Sequence, residues 1–159
     1  MTDSINIEER KERAVAYFKQ GYNCAQSVFL AYRDLYDIDE ELAKKLTAPF
    51  GGGMGRLREV CGAVSGMFMM LGMRYPATNP DEKAAKTANY EAVQRTAAAF
   101  KEKFGSIVCA DLLQLKRTPQ EPNPSDRNAE YYAKRPCARL VAEAAEILGK
   151  ELQQPKEIM

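Results

Sequence analysis

Apolar residues recur at the three- and four-residue spacing of an α-helix along most of this chain, and no strict two-residue alternation runs long enough to predict a strand. Ala14, Tyr17 and Phe18 belong to one stripe in a helix predicted from Ile7 to Lys19 and closed by Gly21. Asn23 is the expected N-cap of a second helix, whose Ala25, Val28, Phe29, Tyr32, Leu35 and Tyr36 share a face. A short third helix runs from Asp39 to Thr47 and stops before Pro49. The glycine loop from Phe50 to Gly55 leads toward a fourth.

Residues Val60 to Met73 are apolar nearly all round, as expected of a helix surrounded by others. Its Gly62 and Gly66 are four apart with Ala63 beside them, so one face lacks bulk and admits a close backbone or a ligand. Asp81 to Phe104 carries Ala85, Ala88, Ala92, Val93, Thr96, Ala97 and Phe100 on one side and ends at Gly105. Ser106 caps a short sixth helix in which Cys109 shares a face with Leu112 and Leu113. Lys116 to Pro136 is rich in proline and polar residues and reads as an irregular excursion that could form a lid. A final helix carries the stripe Cys137, Leu140, Val141, Ala144, Ala145, Leu148. The expectation is an all-α single domain over residues 1–159, a compact bundle of about five to seven helices around the glycine-containing fourth.

The length of 159 residues suits one domain that needs no disulfide staples, so the cysteines require another reason. Lys plus Arg number 23 against 22 Asp plus Glu, a net charge of +1, which leaves no electrostatic footprint for nucleic acid or acidic lipid. The apolar run Met67 to Met73 is interrupted by Gly72 and is too short to span a bilayer. The opening MTDSINIEERKERA carries charge where a secretory signal needs an apolar stretch, so a cytoplasmic location is expected. Histidine is absent, which removes histidine general acids and bases, mixed Cys/His zinc sites and c-type haem attachment.

Cys24, Cys61, Cys109 and Cys137 each fall at the predicted start of a separate helix. A helix N-terminus carries roughly half a positive charge and favours a thiolate, so four such ends could converge on one centre. At a separation of about 6 Å and an effective dielectric of about 20, each thiolate pair repels by roughly 3 kcal/mol. A helix end returns only about 0.3 to 2 kcal/mol, so four bare thiolates need another source of positive charge. An iron–sulfur centre is one answer and all-cysteine zinc another, although no C-x-x-C spacing is present. Redox dithiols are a third, with Arg56 and Arg58 near Cys61, or Arg135 near Cys137, lowering a thiol pKa if they face it. Against all three stands the reading of free cysteines as small apolar core residues. The glycine loop lacks the following Lys and Ser/Thr of a P-loop and reads as a turn that needs positive φ beside the cysteines. Met67, Met69, Met70 and Met73 read as core filling, and Tyr131 and Tyr132 as packed against the domain.

The segments Gly21-Tyr22-Asn23-Cys24-Ala25-Gln26, Phe50 to Arg56 and Cys61-Gly62-Ala63-Val64-Ser65-Gly66 resemble those of the C_GCAxxG_C_C family of redox-active proteins. Phe104-Gly105-Ser106 ahead of Cys109, and Cys137 opening the last amphipathic helix, extend the resemblance to residues 12–150. It implies a helical protein whose Cys24, Cys61, Cys109 and Cys137 carry redox or metal chemistry, and it names no substrate. The expected site is those four cysteines, with Gly62 and Gly66 leaving room for a cofactor. That cofactor is an iron–sulfur cluster, alternatively zinc or none. The expected partner is a redox protein or a small thiol, with no nucleic acid and no membrane, and the apolar faces suit a monomer or a homodimer alike. The competing expectation is a helical interaction module with packing cysteines or a structural zinc.

Overall fold

Side-chain caps begin four of the helices described below. In the computed structural model, which describes residues 4–155, Asn6 Oδ1 accepts from the Glu9 N–H at 3.1 Å and opens α1 (Ile7–Lys19). Asn23 does the same for α2 (Cys24–Leu30), and Asp39 for α3 (Glu40–Thr47). A single turn, α4 (Gly51–Met54), precedes the central α5 (Gly62–Arg74) and the long α6 (Lys83–Phe104), which Gly105 ends in the left-handed conformation. Then follow α7 (Cys109–Leu113), α8 (Ala129–Lys134) and α9 (Cys137–Leu152). Among the described residues the only β pairing is an isolated antiparallel bridge between Val60 and Val108, so the fold is all-α as expected. Residues 1–3 and 156–159, the ends of the expected 1–159 domain, lie outside the described residues. Within those described, no helix is long and apolar enough to cross a membrane.

Helix α5 is central: it touches α2, α4, α6 and α9, while α1 lies against α2 and α9. Its Val64, Met67, Met70 and Leu71 are fully buried in one cluster with Val28 and Phe29 of α2 and Val141, Ala144 and Leu148 of α9. Each such Val, Leu, Met or Phe side chain contributes about 1.5 to 3 kcal/mol by leaving water. The bare face of α5 is where α2 lies. A Cβ on Gly66 would stand 2.5 Å from the Ala25 carbonyl oxygen, so helix-to-helix approach alone requires that glycine.

Two elements differ from the expected pattern. The second helix ends at Leu30 and does not reach Tyr36, because Arg10 Nη1 donates to the Ala31 carbonyl at 2.8 Å and the chain tightens there. Tyr32 turns wholly inward, its hydroxyl donating to the Ala145 carbonyl at 2.7 Å, and Arg33–Tyr36 follows as a 3₁₀ turn. The irregular stretch before Cys137 contains a helix, α8, capped by Asn128. Arg127 fastens it, donating to the Phe18 and Tyr22 carbonyls at 2.9 and 3.1 Å with its guanidinium over the Phe18 and Tyr131 rings. Tyr131 and Tyr132 pack there against the domain, as the sequence suggests.

Candidate functional site

Each cysteine stands at a helix start, and a local device holds each start. Cys24 follows a reciprocal cap: Asn23 Oδ1 accepts from the Gln26 N–H at 2.9 Å, and Gln26 Oε1 accepts from the Asn23 N–H at 3.0 Å. Cys61 occupies the N-cap of α5, and Cys109 opens α7. The Val60–Val108 bridge ties those two together, with the Cys61 N–H donating to Ile107 O at 2.8 Å and the Cys109 N–H to Glu59 O at 2.6 Å. Cys137 opens α9 directly after Pro136.

All four cysteines line one cavity of about 380 Å³, and all four are free thiols. Gly62 lines it too, whereas Gly66 lies outside the lining against Ala25. The chain from Gly52 to Arg58 wraps one wall in an unusual conformation: Gly52, Gly53 and Gly55 have positive φ, and so do Met54, Arg56 and Arg58. Gly53 is required by contact as well as by φ, since a Cβ there would stand 2.5 Å from Cys109 Cβ. The sequence places Arg56 and Arg58 beside Cys61. Instead Arg58, only 1% exposed, points Nη1 at Cys109 Sγ at 3.5 Å and gives Nε and Nη2 to Gln120 Oε1 at 3.0 and 2.6 Å. Arg56 donates to Glu121 O, Ser125 Oγ and the same Gln120 oxygen. Gln120 carries no local signal of this role: it comes from the proline-rich stretch and meets its partners only in the folded chain.

These observations meet the comparisons with known proteins. Residues 22–151 match the family described as "Putative redox-active protein (C_GCAxxG_C_C)". The chain belongs to the C_GCAxxG_C_C family. It is also similar to an "Uncharacterized protein" of Archaeoglobus fulgidus, 28% identical over 162 residues that cover 94% of this chain and 97% of that protein. No solved structure matches the chain.

In this C_GCAxxG_C_C protein burial outweighs the helix starts in setting the state of three thiols. Burial pushes the Cys24 thiol up, with Cys109 adding to the rise and the Gly52 N–H and the amides of its own helix start opposing it. Burial and then Cys24 carry the Cys61 thiol well above its ordinary value, against the Val64 and Ala63 amides. Burial and Cys24 push Cys137 up to about 12, with Arg135 pulling the other way. Arg135 therefore does act on Cys137 as the sequence suggests, but the expectation of a thiol made acidic at its helix start is corrected for these three: desolvation exceeds the pull of the nearby amides and of Arg135. Cys109 is felt by all three, and Cys24 acts more strongly than Cys109 on both Cys61 and Cys137. No three Cys, Asp or Glu side chains are gathered to hold a metal ion among the described residues.

Proposed function

We propose that the four cysteines work as one redox site, their thiolates holding an iron–sulfur centre for electron transfer. A single observation carries the reading: Cys24, Cys61, Cys109 and Cys137, spread along the whole chain, line the same cavity from four helix starts. The all-thiol donor set suits such a centre, and a cavity of about 380 Å³ leaves space between the sulfurs. A single zinc ion instead needs four sulfurs each about 2.3 Å from one point. Sulfurs that line a cavity of about 380 Å³ suit a polynuclear centre better than one zinc ion.

The chain's own residues supply position, dryness and charge. The Asn23–Gln26 cap and the Val60–Val108 bridge orient three of the sulfurs, and Cys61 and Cys109 are 4% and 7% exposed, which keeps water away. Arg58 offsets negative charge at Cys109. Without further positive charge, burial keeps Cys24, Cys61 and Cys137 protonated, so none of these three serves as an attacking thiolate. Bound iron would supply that charge together with reversible one-electron chemistry. The partner on this reading is an electron-carrying protein.

The test is iron, zinc and acid-labile sulfide on anaerobically purified protein, with the visible spectrum of the same sample. Iron with matching sulfide and broad visible absorption, both lost in Cys61→Ser, is the expected result. Zinc alone would return the site to a structural role, and a colourless metal-free protein would overturn the reading in favour of dithiols.

A further inference from the structure

Arg56, Arg58, Arg127 and Arg135 line the cysteine cavity, and no Asp or Glu does among the described residues. The arginines that pair with carboxylates are Arg10, Arg13, Arg33, Arg95 and Arg117, all elsewhere. Arg127 gives both terminal nitrogens to carbonyls and fastens α8, whereas Arg56, which donates to the Glu121 carbonyl and Ser125 Oγ, joins Arg58 and Arg135 as three cations on the cavity lining. They press on one another: burial lowers the pKa of Arg56, and Arg58 and Arg135 lower it further.

What stands between two of them is a neutral oxygen. Gln120 Oε1 accepts from Arg56 Nη2 at 3.3 Å and from Arg58 Nε and Nη2 at 3.0 and 2.6 Å. That satisfies donors without cancelling charge. A guanidinium has five N–H donors. Arg135 spends none of them on a hydrogen bond among the described residues, its plane resting over the Tyr131 ring at 5.0 Å. Arg56 and Arg58 are also held at φ 68° and 62°, which costs roughly 1 to 2 kcal/mol for each non-glycine residue. Strain of that kind persists where surrounding structure enforces it, commonly at ligand clamps.

We propose that this wall of Arg56, Arg58 and Arg135 binds a small anion, a carboxylate or phosphate-like group, beside Cys109 and Cys137. Planar guanidinium forks match the paired oxygens of both groups. That the anion belongs to a molecule acted on by the site rests on the redox reading above; the binding does not.

The test is calorimetric titration of the metal-free protein, reduced with uncharged dithiothreitol, against inorganic phosphate and separately against malonate. Saturable binding of at least one is expected, phosphate alone marking a phosphate-like ligand and malonate alone a carboxylate. Arg56→Gln and Arg135→Gln each weaken it about tenfold or more, while Lys83→Gln, which removes the same charge from exposed α6 surface, leaves it unchanged. Gln120→Glu preserves the contacts, places a carboxylate between Arg56 and Arg58, and weakens anion binding while raising the melting temperature. Absence of saturable binding to either anion, or equal weakening by Lys83→Gln, overturns the proposal. So does iron content that falls in Arg56→Gln and Arg135→Gln while anion affinity stays level, which would make the arginines counter-ions of the metal centre alone. Anion binding by a protein that already lacks iron when purified anaerobically would sink the iron–sulfur reading and leave this one standing.

Discussion

The Cys24 sulfur rests on the α-carbon of Gly62, so that a Cβ at Gly62 would fall well inside van der Waals contact with it and 2.9 Å from the Phe50 carbonyl oxygen. Gly62→Ala must therefore turn the thiol away or part α2 from α5. The expected loss is about 1 to 3 kcal/mol of stability, typical of overpacking. Urea denaturation gives that number. Metal content, or faster alkylation of Cys24 in the metal-free protein, reports the displaced sulfur.

Two other glycines of α5 give opposite signs for the same substitution. Gly72 has nothing within 4 Å of its added Cβ, so Gly72→Ala stabilises by about 0.5 to 1 kcal/mol through helix propensity. Gly66→Ala drives a methyl into the Ala25 carbonyl, which is backbone and cannot swing aside, and destabilises. Thermal melts of the pair should move in opposite directions; a shared direction would contradict the α2–α5 packing.

The buried thiols make the metal-free protein sensitive to alkali. An ordinary thiol ionises near 9.0, whereas Cys137 holds its proton to about 12. Between those values the unfolded chain binds fewer protons than the native one, so stability is complete below pH 9 and falls as pH rises. The slope is at most about 1.4 kcal/mol per pH unit for each such thiol. Arg135→Gln removes the charge that opposes the shift, so alkylation of Cys137 should slow at a given pH. Rates with iodoacetamide from pH 7 to 10 check this.

Glu151 predicts sensitivity at the acid end. Burial raises its pKa, but hydrogen bonds from Arg95 and Tyr75 and the Arg95 charge outweigh burial and hold the carboxyl below its ordinary range. Its contribution is present above the ordinary carboxylate pKa and disappears as pH falls through the lower native value. Glu151→Gln should cost about 1 to 3 kcal/mol at neutral pH, and the variant should lose less than the parent on acidification. Urea midpoints at pH 7 and pH 3 decide it.

The helices were legible because their signals are local. Asn23 caps α2 and Gly105 ends α6 within a few residues of the apolar stripes they bound. The end of α2 was not, since Tyr32, Leu35 and Tyr36 keep a spacing that a 3₁₀ turn nearly shares, and the group that stops the helix is Arg10 on another element. At the site, the four cysteines and their helix starts could be read directly, and the glycine loop's positive φ followed from its composition. The arginines' true neighbours could not. Arg58 reaches Cys109 because the Val60–Val108 bridge folds two distant stretches together, and one residue from each stretch leaves no alternation to detect.

That bridge also decides what can vary. The hydrogen bonds from Cys61 to Ile107 and from Cys109 to Glu59 use only main-chain atoms, which nineteen of the twenty amino acids supply alike. The relative placement of these two helix starts is thus independent of the flanking side chains, and relatives can drift at Glu59, Val60, Ile107 and Val108 while the two sulfurs keep their distance.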